Sequence, residues 1–186
     1  MDLREFVNSI IGEVNQTLLK PLEDIESGLE GIVEVISENL NVSKPRVIAT
    51  INNVDECGGR GDGLCSTIGG VYLPDEEVIL VNYKVSLEAL LHLYAHHLQA
   101  IEVGKAKYIQ AVRGEEVRLP WELRPSEILA MYRSTILLRN LNPRVVKVFN
   151  EDVKPRVKDV ERALGEVRGK VNYLARVIEY VVSRVR

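Results

Sequence analysis

The 186-residue sequence has no apolar run near the roughly 18 residues that a membrane-spanning helix needs. It has no excess of positive charge either: its formal net charge is −3, which gives no sign of nucleic-acid binding. The first residues lack the basic segment, apolar stretch and small-residue cleavage site of a secretory signal. We therefore expect a cytoplasmic protein whose partners include neither membrane nor nucleic acid.

Cysteine is scarce, and both residues, Cys57 and Cys65, lie in one segment with four glycines between them. Two alternatives stay open: a disulfide, which intracellular proteins of hyperthermophiles form, and two unrelated reduced thiols. The spacing is not that of a common zinc knuckle, and the segment lacks the Gly-Lys-Ser/Thr ending of a P-loop. The abundance of Val, Glu, Lys and Arg favours a thermophilic source.

Hydrophobic residues make up 46% of the chain, enough for a core. Their helical spacing predicts two N-terminal helices, over 3–19 and 25–40, with Pro21 between them and Asn41 as a stop. Short β-branched runs predict strands over 46–52, 70–73 and 77–81. Two strong helices follow over 86–103 and 125–140, joined by an irregular segment over 104–120. Ser86 is the predicted N-cap of the first, Pro125 is in the first turn of the second, and Pro143 is expected to end it. The order predicts a mainly helical α+β fold.

The C-terminal segment carries an apolar heptad pattern over more than four heptads. One reading is a long helix packed against the two N-terminal helices, and the other is a helix through which the chain forms a homo-oligomer. We favour packing within the chain, because the N-terminal helices also need a partner. The pattern consists of Val153, Val157, Val160, Leu164, Val167, Val171, Leu174, Ile178, Val181 and Val185.

All three histidines of the chain fall within the six residues 92–97. His92 and His96 are four residues apart, which on a helix places both imidazoles on one face. Two nitrogens so placed can bind one Zn²⁺, and this geometry underlies the H-E-x-x-H motif of zinc proteases. A histidine pair at this spacing is also found in cores and on surfaces without metal.

The segment 90–99 (LLHLYAHHLQ) resembles the metal-binding helix of small gluzincins, the minigluzincins, and 124–130 (RPSEILA) is similar to their glutamate helix. The segment 69–74 followed by 77–80 resembles the strand pair that lines their substrate cleft. The resemblance covers roughly residues 44–140. It implies a zincin-like core with a small antiparallel sheet, and zinc bound by His92, His96 and Glu127.

Together with the helical patterns on either side of it, this core predicts three segments packed as one unit: N-terminal helices over 1–43, a zincin-like core over 44–142, and the heptad helix over 143–186. Four further residues are candidates near the metal or the cleft. We expect Glu88 to orient His92, His97 to pack or form a hydrogen bond, and Tyr72 to lie on the strand that lines the cleft. Arg124 either complements Glu127 or caps the irregular segment.

The second position of the motif is Leu93, where zinc proteases have the glutamate that acts as general base. Leucine cannot move a proton, and losing a general base typically costs 10²–10⁴-fold in rate. We therefore expect a catalytically degenerate, non-proteolytic zincin-like protein that retains a zinc or peptide-binding site. Two alternatives are a metal-dependent hydrolase with an atypical base, and a metal-free structural or oligomerising protein.

Overall fold

The computed structural model describes residues 3–52, 54 and 69–185, so Cys57, Cys65 and their glycine-rich segment lie outside the described residues. The predicted mainly helical α+β fold is confirmed. Among the described residues, no helix is both long and apolar enough to cross a membrane. The elements in chain order are α1 (Leu3–Leu40), β1 (Arg46–Thr50), β2 (Gly70–Leu73), β3 (Val78–Asn82), α2 (Leu87–Val103), α3 (Lys105–Arg118), a 3₁₀ turn (Trp121–Leu123), α4 (Pro125–Arg139), α5 (Pro143–Val148), a π-helical turn (Phe149–Val153) and α6 (Lys154–Val185).

The described strands form one mixed sheet in the order β1-β3-β2. β2 pairs with β3 in the antiparallel sense, but β1 pairs with β3 in parallel, so the expected all-antiparallel sheet is wrong for one pair. Only β2 and β3 are joined by a tight turn, which forces antiparallel pairing, while the long connection from β1 leaves its direction free. The outer edge of β1 is covered by α1, where the carboxylates of Glu26 and Glu30 accept hydrogen bonds from the backbone N–H groups of Ala49 and Val47.

The two predicted N-terminal helices form one helix, because α1 continues through Pro21. Proline inside a helix costs about 3 kcal/mol. α1 offsets this cost by packing along α6 and against β1. Asn41 ends the helix as predicted, with a left-handed φ of 53° that asparagine tolerates.

The segment predicted as irregular, 104–120, is mostly helical and forms α3. Gly104, with a φ of 87°, ends α2 and separates it from α3. Gly114 inside α3 is a destabilising but tolerated residue. Similarly, Pro143 does not simply end α4 but occupies the first turn of α5. Helix α3 matters for the site, because it brings Tyr108 next to His96.

The three predicted segments share one hydrophobic core, which draws buried residues from α1, the sheet, α2, the π-helical turn and α6. α2 lies in the middle of the molecule, where it packs against α4, α3 and β2. Helix α2 is therefore buried on nearly every side, and its polar side chains lie in a largely dry interior.

Candidate metal centre

Helix α2 brings His92 and His96 to one buried face. Ser86 caps its N-terminus by accepting a hydrogen bond from the backbone N–H of Ala89 at 3.1 Å, as the sequence predicts. Residues four apart then lie one turn above the other. The two imidazole rings meet edge to face with centroids 4.8 Å apart, and each histidine is less than 5% exposed.

Glu127 reaches the same point from the first turn of α4, where Pro125 begins the helix. Its Oε2 lies 3.1 Å from Nε2 of His92 and 3.2 Å from Nε2 of His96, and the two Nε2 atoms are 3.1 Å apart. The three side chains form a group of buried ligand atoms that could hold a metal ion. The structure thus places together the three residues that the gluzincin resemblance implies as ligands.

The donor set fits a tetrahedral cation such as Zn²⁺. Ligand atoms about 2.0–2.1 Å from a tetrahedral zinc lie about 3.3 Å from one another, close to the separations of 3.1–3.2 Å within this cluster. Hydrogen bonds among these three side chains do not give every atom a suitable partner. If both imidazoles donate to Glu127, their two N–H groups face each other across 3.1 Å. A cation instead accepts a lone pair from each of the three atoms.

The protonation states also suit metal ligands. Burial lowers the pKa of His92, which favours the neutral imidazole that donates a lone pair. Burial opposes ionisation of Glu127, but its hydrogen bonds to His92 and His96 outweigh this and lower its pKa to about 2. These shifts favour a neutral imidazole at His92 and a carboxylate at Glu127, the forms that bind a metal.

Tyr108 is a residue of this site that the sequence did not indicate. It is buried on α3, and its hydroxyl lies 2.8 Å from Nδ1 of His96. For Nε2 of His96 to bind a metal, Nδ1 must carry the ring proton, which it then donates to the tyrosine oxygen. The contact was missed because α3 was predicted as irregular, so no element pointed Tyr108 towards α2.

Leu93 packs into the core against the sheet. The side chain is fully buried, and a Cβ built on Gly70 of β2 would lie 2.6 Å from its Cδ1. Gly70 therefore leaves the space that Leu93 fills. The residue at the motif's general-base position is thus part of the hydrophobic packing between α2 and β2.

His97 and Tyr72 form a separate, structural pair. Nε2 of His97 donates to the carbonyl oxygen of Ser43 at 2.8 Å, which leaves Nδ1 as the acceptor for the Tyr72 hydroxyl at 3.1 Å. His97 thereby links α2 to Ser43 in the α1–β1 connection and to β2. Tyr72 also lines a cleft beside His96 and Glu127.

The other two candidates lie in different surroundings. Arg124 is half-buried and lines the same cleft as Tyr72, and its Nε points to the carbonyl oxygen of Leu119 at 3.4 Å, across the end of α3. Glu88 is exposed in the first turn of α2 and lines a different groove with Lys84 and Lys154. The structure therefore does not bring Glu88 to His92 as the sequence suggested.

The cleft beside His96 and Glu127 has a volume of about 240 Å³. One wall is β2 with the turn after this strand, and the other is α3. Both ends of α3 are fixed: Lys105 pairs with Glu77 at 2.8 Å, and Glu115 accepts hydrogen bonds from the backbone N–H and hydroxyl of Ser126. The cleft therefore lies between β2 and a helix that is tied to neighbouring elements near both of its ends.

Comparison of the chain with protein-family models, with curated proteins and with solved structures found no match. The likeness to gluzincins consequently stays an interpretation of short motifs. The geometry establishes a buried His-His-Glu group able to hold a metal ion.

Proposed function

We propose that the protein binds zinc through His92, His96 and Glu127 as a degenerate zincin-like protein, and that it does not cleave peptides by the usual mechanism. The observation that supports this proposal is the triangle of two Nε2 atoms and one Oε2 atom, all within 3.2 Å of one another in the interior. Nitrogen and carboxylate ligands of this kind are those that zinc prefers.

A zinc ion bound there would act as a Lewis acid and lower the pKa of a coordinated water to about 7. The chain's own residues limit the proton transfers available at the site. A general base must come within hydrogen-bond reach of the reacting proton, and the motif position for it is an aliphatic side chain, Leu93, turned into the core. Tyr108 is occupied with orienting His96. Binding without efficient hydrolysis is the outcome that these residues favour.

The ligand that the cleft suits is a small molecule or a short peptide. Pockets for drug-sized ligands occupy about 300–1,000 Å³, and this cleft, at about 240 Å³, lies below that range. An extended polypeptide would have to lie between β2 and α3, which both line this small cleft. Arg124 and Arg113 line the cleft as cations, and Asp75 and Glu116 line it as anions, so a ligand that carries both charges is accommodated.

A metal titration tests the proposal, with Trp121 as the reporter. It is the only tryptophan of the chain, is buried, and has its ring centroid 6.2 Å from that of His92. We expect Co²⁺ to quench its fluorescence at one equivalent, and Zn²⁺ to displace Co²⁺. His92→Ala and Glu127→Gln should each weaken binding by more than about 100-fold, since even outer-shell losses cost 10–100-fold. Glu88→Ala, on the same helix, serves as the matched control and should bind as the wild type does.

The alternative of a hydrolase with an atypical base draws on one observation, the Tyr108 hydroxyl in the wall of the cleft. This alternative requires that the protein cleaves short peptides, that a chelator abolishes this cleavage, and that Tyr108→Phe lowers its kcat. The metal-free alternative requires an unchanged Trp121 signal on addition of Co²⁺ or Zn²⁺. Saturable metal binding without peptide cleavage would contradict both.

A further inference from the structure

The outer parts of α1 and α6 form a two-helix arm, residues 3–20 and 165–185, that extends beyond the core. The core cluster and its partly buried neighbours begin at Leu22 on α1 and end at Leu164 on α6. Past these residues the helices still run side by side, and Lys170 pairs with Glu13 at 3.0 Å. The seam between them is only half-buried; it includes Val7, Ile10, Val14, Val167, Leu174 and Val177.

One face of this arm is apolar and uncovered. On α6 the heptad stripe that buries Val160 completely continues outward to Val171, 50% exposed, and Ile178, 39% exposed. Residues seven or eleven apart lie on nearly the same side of a helix, so Val171 and Ile178 continue the surface by which Val160 packs into the core. On α1, Ile11 lies seven residues before Leu18 and is 50% exposed. The apolar pattern therefore continues beyond the core, but its side chains there are exposed.

The face suits a second copy of this chain better than a charged partner. The positions within it are uncharged, with Asn15 beside Ile11 on α1 and Ala175 between Val171 and Ile178 on α6, while Arg4 and Arg168 lie towards its ends. A single layer of two helices cannot bury its apolar stripe, and packing it on another layer is the usual solution. Two arms placed face to face would make a four-helix bundle that covers both stripes.

We propose that two copies of the chain associate through this face of the arm, defined by Ile11, Val171 and Ile178. An arm of 18 residues is about 27 Å long, and two helices side by side are about 20 Å wide. The contact would bury about 1,100 Å² in total, which is in the range of weak, transient interfaces. The dimer is therefore weak and reversible, with a dissociation constant in the micromolar range.

Sedimentation equilibrium between about 1 and 200 µM tests this proposal, with concentrations chosen to span micromolar dissociation. We expect the average mass to rise towards that of a dimer, with little change between low and high salt, since the three residues that define the face are apolar. Val171→Glu should keep the protein monomeric over this range. Val117→Glu makes the same change at an 86% exposed position on α3 and should dimerise as the wild type does.

Circular dichroism checks that Val171→Glu keeps its helices. If it loses them, Ala175→Arg places a charge on the same face without removing a large apolar side chain and decides the question. A wild-type protein that stays monomeric at every concentration would overturn the proposal. A dimer that survives a folded Val171→Glu or Ala175→Arg variant would overturn it too, because the interface would then lie elsewhere.

Discussion

Replacing Leu93 by glutamate restores the residue that zinc proteases have at this position, yet we expect it to destabilise the protein rather than activate it. Leu93 is fully buried and fills the space above Gly70. A glutamate in its place would bring a carboxylate into the packing between α2 and β2. The same space is bordered by the carbonyl oxygen of Leu80 and the side chain of Val81, neither of which can donate a hydrogen bond to it.

The size of the effect follows from two contributions. Removing a buried leucine side chain costs about 2–5 kcal/mol in large-to-small substitutions, and burying an unsatisfied polar group adds about 1–3 kcal/mol. The loss of about 3–8 kcal/mol is comparable to the whole stability of an average domain, about 5–15 kcal/mol. Leu93→Met keeps the volume and should cost less than about 1.5 kcal/mol.

Urea unfolding followed by Trp121 fluorescence and circular dichroism measures these differences. The matched control is Ile101→Glu, which introduces the same carboxylate at a 41% exposed position of α2 and should change stability by no more than about 0.5 kcal/mol. A Leu93→Glu variant as stable as the wild type, with peptidase activity that a chelator removes, would refute this reasoning. Leu93 would then face the metal and not the sheet.

Further predictions concern the surroundings of the site. Tyr108→Phe should weaken zinc binding about 10–100-fold in a competition titration, because Nδ1 of His96 loses its partner, whereas Tyr72→Phe should leave affinity unchanged. Gly70→Ala should cost about 1–3 kcal/mol in urea unfolding, since its Cβ would come within 2.8 Å of a backbone oxygen. Glu26→Ala should cost about 1–2 kcal/mol and increase aggregation on heating, measured by light scattering, because it uncovers the edge of β1.

Local patterns predicted the elements that depend on local chemistry. Ser86 as N-cap, Pro125 at the first turn of α4 and Asn41 as the end of α1 all act within a few residues of themselves. His92 and His96 are four residues apart, so any helix through them brings their side chains together. Glu127 was placed beside them by resemblance to a motif, since nothing in the spacing of the chain brings residues 35 apart together.

The failures share a different cause: each depended on tertiary packing. Pro21 stays helical because α6 and β1 support α1 on both sides of it. The direction of β1 depends on its pairing with β3. The other edge of β1 is covered by Glu26 and Glu30, which belong to helix α1. α3, with a weak helical pattern, is held by side-chain contacts at both ends, and its position is what brings Tyr108 to the site.

Binding of a single zinc ion by the His-His-Glu group is the central claim, and the zinc content of the purified protein tests it most directly. Untagged protein purified without added metal is analysed by inductively coupled plasma mass spectrometry, beside His92→Ala, Glu127→Ala and the control Glu88→Ala. We expect about one zinc per chain in the wild type and in Glu88→Ala, and none in the other two variants. A wild-type protein without zinc, with His92→Ala and Glu127→Ala equally stable, would contradict the account and leave the cluster as a packing feature of the core.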